Sequence, residues 1–295
     1  MEKTKIVTHN GSFHPDDVFS VAALSLLFKG NIEVVRTRDP KLVKTGDIVL
    51  DVGGEYDEKR NRFDHHQTGG AGERQNGIPY ASFGLIWKHF GEKLVGDSGV
   101  ARMIDEKLVQ PIDASDNGYV VSSKEITPNI FSYTIDDAIF VFNPTWKEQR
   151  EEDIIFPKVV EIAKTILERE ITKARAKKEA WQFVLATYTT ATNKRIIVLD
   201  HEYPWKEVLI QFPEPLFVIY PNATNGTWGA VAVRKSLNSF ENRKSFPAVW
   251  AGLRDSALAE VSGVPDAIFC HNKLFLAVAK SKEGALALAK EALIS

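Results

Sequence analysis

The feature that most constrains this chain lies near its N-terminus, where short β-rich runs each stop at a polar turn carrying His or Asp. Lys5-Ile6-Val7-Thr8 reads as a strand that ends at His9-Asn10-Gly11-Ser12. Asp16 and Asp17 then stand before the Ala- and Leu-containing segment Val18–Phe28, in the position of helix caps. Glu33–Thr37 and Asp47–Asp51 are further strand candidates, the second followed by Gly53-Gly54. Strand, helix, strand, strand at this spacing predicts an α/β domain with parallel strand pairs. In an open sheet of that kind, ligands collect in the crevice at the carboxyl ends of the strands.

Farther along, Ala81–Val109 reads as helical, with Phe83, Ile86, Trp87 and Phe90 at suitable intervals, and Ile112–Gly118 closes that segment with turn chemistry. Asn143-Pro144 begins a loop. From Glu148 to about Thr187 the chain lacks glycine and has Pro157 as its one proline, which predicts a long connector helix starting after Pro157. Arg195–Leu199, Leu216–Tyr220 and Trp228–Val233 are β-rich, whereas Ser256–Val261 and Lys282–Leu293 read as helices. The expectation is an α/β protein in three parts: a first domain with a mainly parallel sheet over 1–147, a connector helix over 148–187 and a smaller α/β domain over 188–295.

Composition removes several alternatives. With 295 residues, 44% hydrophobic and 26% charged, the chain is not disordered, collagenous or a coiled coil as a whole. A net charge of −2 leaves no basic coat for long duplex DNA. The one cysteine, Cys270, excludes an intrachain disulfide and a cysteine-rich zinc site, which suits a cytoplasmic location, and its apolar setting predicts an inert buried thiol. No run approaches the ~18 apolar residues of a membrane helix, so no membrane partner is expected, and Met1 is read as the start of the folded protein.

Histidine is scarce, with seven residues, yet His9, His14, His65 and His66 fall within the first 66 positions, each beside acidic residues. His9 and His14 with Asp16 follow the first strand, Asp51 ends the third, Asp64-His65-His66 follows a hydrophilic turn, and Asp116 follows Ile112. Any one of these is more often a helix cap or surface decoration than a ligand. Their joint occurrence at successive strand ends favours a mixed nitrogen–oxygen cage for two divalent ions. Such a pair polarises a phosphoryl group and generates a hydroxide nucleophile. Oxygen-rich ligation points to Mn²⁺ or Mg²⁺, and the imidazoles favour Mn²⁺. In the second domain Arg234, Arg243, Arg254 and His271 form a cationic set able to grip a terminal phosphate or sugar.

The segments Thr8–Asp17, Asp51–Asp57 and Arg62–Gln67 resemble the signature of the melanocyte-proliferating-gene protein family, a branch of the DHH phosphoesterase superfamily. The resemblance continues through Val34–Pro40, Asp113–Gly118, Asn143–Trp146, Pro204–Glu207, Trp250–Asp255, Val261–Pro265 and Phe269–His271, and so covers nearly the whole chain. It implies a DHH-like two-metal N-terminal domain, a C-terminal domain that binds substrate across a cleft, and hydrolysis of phosphoesters by an RNA exonuclease working 3′ to 5′. By position, His9, Asp16, His65 and Asp116 match metal ligands, and Asp51 matches the bridging carboxylate. His66 matches an imidazole facing the phosphate, with Asp64 orienting a histidine. His14 stands about where the superfamily has an Asp, as a ligand or a phosphate donor. The branch's glycine-rich turn after its last histidine is replaced by Lys273–Val278, which has no glycine. RNA or a short oligonucleotide is the expected substrate, and a homodimer is one expected assembly. A pyrophosphatase or small-nucleotide phosphatase and a non-catalytic metal or nucleotide sensor remain the competing readings.

Overall fold

The computed structural model describes residues 2–119 and 132–295. The reading of Met1 as the start of the folded protein therefore falls outside the described residues. The chain divides into two compact units, Met1–Arg175 and Ala176–Ser295.

In the first unit, β1 (Thr4–Thr8) is followed by α1 (Pro15–Leu27), β2 (Ile32–Arg36), α2 (Pro40–Val43), β3 (Ile48–Leu50), β4 (Tyr56–Asp57) and β5 (Arg62–Phe63). The sheet order is β2-β1-β3-β5-β4. β1 pairs in parallel with β2 and β3, and β3 in parallel with β5, while β4 alone runs antiparallel. Parallel pairing brings the carboxyl ends of β1, β3 and β5 to one edge. Val7 pairs with Val49, and Leu50 with Phe63. Two residues beyond the first pair lie His9 and Asp51, and one beyond the second lie Asp51 and Asp64. The chain leaves β1 toward β2 on one side and finds β3 on the other, so the β1/β3 crevice is a topological switch point.

α1 is buried along nearly its whole length, and it packs against α3 (Ser82–Val95), α5 (Gln110–Asp116) and α6 (Ile135–Phe140). Phe19, Leu24, Phe63, Phe83 and Ile86 fill the core between sheet and helices. The single helix expected over Ala81–Val109 is interrupted. α3 stops at Gly96, which takes φ +72, and α4 (Ser98–Ile104) restarts with Asp97 accepting from the Val100 N–H. A π-helical turn, Asp105–Val109, leads into α5. The turn expected over Ile112–Gly118 is helical up to Asp116, because Ile112, Asp113 and Ala114 are buried and tertiary packing outweighs the weak helix preference of Asp and Ser.

α7 (Glu152–Thr190) is 39 residues long, and it contains Pro157 rather than starting after it. As the sixth residue of the helix, Pro157 forgoes one main-chain bond, to the Asp153 carbonyl, and the buried stripe that follows sustains the helix through it. Phe156, Val159, Val160, Ala163, Leu167, Ile171 and Ala174 form its buried stripe in the first unit.

The second unit is α/β with a mainly antiparallel sheet. Its strands are β6 (Ile196–Val198), β7 (Phe217–Pro221), β8 (Trp228–Ala232), β9 (Ala267–Cys270) and β10 (Leu276–Ala279), in the order β6-β7-β8-β10-β9. Only β6 and β7 run parallel. Helices α8 (Lys206–Leu209), α9 (Asp255–Ser262) and α10 (Lys282–Ile294) complete it, α10 covering β7, β8 and β10. Cys270 is fully buried here, and burial pushes its thiol up to about 11, as expected of an inert group.

Candidate metal centre

His9 leaves β1, Asp51 leaves β3 and His65 leaves β5, all at the shared edge of the sheet. Asp51 takes φ +52, a left-handed conformation uncommon outside glycine, and the reversal aims its carboxylate back at β1 and β5. Asp16 and Asp17 come from the first turn of α1, and the Asp17 carboxylate accepts from the His14 N–H in a capping box. Asp116 comes from the C-terminal end of α5, a helix, where the sequence suggested a turn closing a helical segment.

The structure brings these groups together around Asp51. His9 Nε2 lies 3.2 Å from Asp51 Oδ2 and 3.4 Å from Asp17 Oδ2. His65 Nε2 lies 3.1 Å from Asp116 Oδ2, 3.3 Å from Asp51 Oδ1 and 3.8 Å from Asp16 Oδ2. Three sets, His9–His14–Asp51, Asp51–His65–His66 and His14–Asp16–Asp116, could each hold an ion, with ligand atoms within 4.8 Å of one another. Asp51 and His14 each belong to two of them.

The electrostatics fit a cation better than an empty centre. Among the buried atoms without a hydrogen-bond partner are His9 Nε2, both Asp16 oxygens, Asp17 Oδ2, Asp51 Oδ2 and His65 Nε2. Buried polar atoms left in that state are costly unless something compensates them. Burial, with Asp51, Asp116 and Asp17 nearby, drives the Asp16 pKa well above the usual range. Burial likewise raises Asp17 to about 7 despite the charge of His9, and raises Asp116. Burial opposes ionisation of Asp51, yet the facing His65 and His9 hold it far below an ordinary carboxylate. Burial also opposes the charge on His9, but Asp51 and Asp17 raise its pKa. Burial and the nearby His9 lower that of His14.

His66 differs from the rest. Its side chain is 60% exposed, and its Nδ1 lies 2.8 Å from Asp64 Oδ1. Asp64 is buried and also accepts from the main-chain N–H groups of His65, His66 and Gly54. One carboxylate thus sets both the loop and the His66 ring, and that contact raises the His66 pKa.

Three neighbours were not singled out from the sequence. Asp17 was read as a cap, and it also faces His9; the His14-x-x-Asp17 capping spacing was the available signal. Asp136 and Phe140 on α6 line the pocket beside Asp116 and His14, but no motif marks them.

The cationic set of the second unit is partly linked. The Arg254 guanidinium lies over Phe269, 4.5 Å from the ring centre, and Phe269 and Phe275 both contact the His271 ring. Arg234 lies over Phe240 and lines a cavity of about 150 Å³ together with Phe275. Arg243 does not join them. Its guanidinium donates to the carbonyls of Ile210, Phe212 and Pro215 and holds a loop. In the turn after His271, Leu274 takes φ +58, where a glycine would be at ease.

A family model described as "Uncharacterised protein family (UPF0160)", MYG1_exonuc, matches residues 5–293. The chain belongs to this family. The MYG1 exonuclease of Homo sapiens is 33% identical over 99% of this chain and 86% of its own length. The MYG1 protein YER156C of Saccharomyces cerevisiae is 32% identical over 98% of this chain and 95% of its own. The MYG1 protein of Dictyostelium discoideum is 27% identical over 98% and 96%. No solved structure matches the chain. Among the described residues of this MYG1-family chain, no helix is long and apolar enough to cross a membrane.

Proposed function

We propose that this chain is a metal-dependent phosphodiesterase of DHH type, acting as a 3′-to-5′ exonuclease on RNA or short oligonucleotides. The observation that carries the reading is the set of unpartnered, buried imidazole and carboxylate atoms gathered around Asp51, of which His65, with Asp116 beside it, also lines a pocket. Membership of a family with relatives named exonucleases supports it.

His9, Asp16, Asp51, His65 and Asp116 would hold two divalent ions, Mn²⁺ preferred, with Asp51 shared and His14 at the margin. Ions bound there supply positive charge toward a phosphoryl group and acidify water. The chain's own groups do the rest. His66, held by Asp64, offers its free ring edge to a phosphate oxygen as charge develops. His14, kept neutral by burial, contacts a second oxygen or completes a metal set. Arg234, Arg254 and His271 of the second unit are the candidate groups for gripping a phosphate or sugar. The location is cytoplasmic in this reading.

The test is turnover of short RNA labelled at either end, of pyrophosphate and of a bis-aryl phosphodiester, with and without Mn²⁺. Metal-dependent release of mononucleotides from the 3′ end is expected. Hydrolysis of pyrophosphate alone, or metal-dependent nucleotide binding with no turnover, would replace this reading with a pyrophosphatase or a sensor.

A further inference from the structure

The pocket over the metal-binding groups has one wall that this chemistry leaves unused. It encloses about 500 Å³, within the range of small-molecule sites, and its lining includes His14, His65, His66, Asp116, Asp136 and Phe140. Phe140 is the only aromatic hydrocarbon among the described lining residues. It ends α6, is 45% exposed and meets the His14 ring edge-to-face with centroids 5.8 Å apart. Its place is fixed from two sides. Ile139 beside it is fully buried in the core. Three residues on, the Asn143 side chain clasps the backbone of Phe13: the Phe13 N–H donates to Asn143 Oδ1 at 3.0 Å, and Asn143 Nδ2 donates to the Phe13 carbonyl at 2.9 Å. Phe13 directly precedes His14. The Asn143 clasp thus ties the end of α6 to the loop that presents the metal-facing imidazole.

A bare phosphate or a sugar phosphate gains nothing from an exposed benzyl face. A purine or pyrimidine does, because every base offers a π-face for stacking. We propose that Phe140 is the platform on which the nucleobase next to the reacting phosphate stacks, so that the site takes nucleotides in preference to inorganic or sugar phosphates. The inference rests on the phosphodiesterase reading for the placing of phosphate beside His14, and it names the substrate class of that site.

Equilibrium binding of AMP and of ribose 5-phosphate, in excess Mn²⁺, tests it on the full chain. The wild type should bind AMP at least about ten-fold tighter, the scale of one base–aromatic stack. Phe140→Leu, which keeps apolar volume but no π-face, should erase that preference and leave ribose 5-phosphate binding unchanged. Phe140→Trp should restore it. Equal affinity of the wild type for both ligands would overturn the proposal. So would a parallel loss of both in Phe140→Leu, which marks a structural role. The readout is independent of turnover: selective AMP binding without hydrolysis of any dinucleotide would remove the phosphodiesterase reading and leave the base platform standing.

Discussion

Replacing Asp51 and replacing His66 should separate metal retention from phosphate contact. Asn tolerates the left-handed backbone at position 51, so Asp51→Asn keeps the loop while removing a charge that faces His9 and His65. Calorimetric titration should find at least one ion lost and turnover abolished even in excess Mn²⁺. His66→Ala should keep metal affinity nearly intact while turnover falls about 10²–10³-fold, the cost of one donor aimed at developing charge. Equal metal loss in both variants would make His66 a ligand. The same centre sets a pH dependence. Asp17 near 7 means that the folded protein holds a proton there which an unfolded carboxyl, at 3.8, has already released. The metal-free protein should therefore lose stability as pH rises from about 4 to about 7. Asp16 and His9 are raised and act in the same direction, while His14 is lowered and opposes them only over its own range. Melting temperatures across that range should fall in chelator and flatten with excess Mn²⁺; a rise through pH 7 in chelator would contradict the assignment.

Among the elements, α3 and α5 are joined by a buried pair that neither helix pattern announces. The Asp113 carboxylate on α5 accepts from the Gly84 N–H on α3 and lies 2.7 Å from Arg74 Nη1. Burial raises Asp113 to about 7 in spite of Arg74. Arg74→Ala leaves that carboxyl without its cation, a loss of about 3–5 kcal/mol when the charge must stay. Because Asp113 can take up a proton instead, the loss in chemical denaturation should be smaller at pH 6 than at pH 8.5. Gly84→Ala should also destabilise, since a Cβ there would meet Asp113 Oδ2 at 1.8 Å. Such couplings explain what the sequence could and could not tell. His9, Asp51 and His65 were legible because parallel strands end at one edge, so a polar residue after each strand has only one crevice to enter. Asp116 was assigned to the right place by the wrong element, because burial of Ile112 and Ala114 sustains a helix through residues that read as a turn. Gly96 broke an apolar periodicity that looked continuous. Asp136 and Phe140 reach the pocket through the burial of Ile139 and the Asn143 clasp, tertiary contacts with no local signature.

At the scale of the molecule, every candidate metal ligand lies in the unit Met1–Arg175. Metal that binds only the folded state adds about 2.7 kcal/mol when its free concentration is 100-fold above Kd. Scanning calorimetry should resolve two transitions, of which Mn²⁺ raises one and leaves the other in place; a single transition that shifts as a whole would contradict this. The buried centre then bears on how long the protein lasts in a cell. If the proposed ions are withheld, its carboxylates should weaken one unit and spare the other, and proteases act on the fraction that opens. Cleavage would begin N-terminal to Arg175 and carry the rest of the chain with it. Abundance of the protein would thus follow the supply of the metal, falling under starvation before synthesis changes at all.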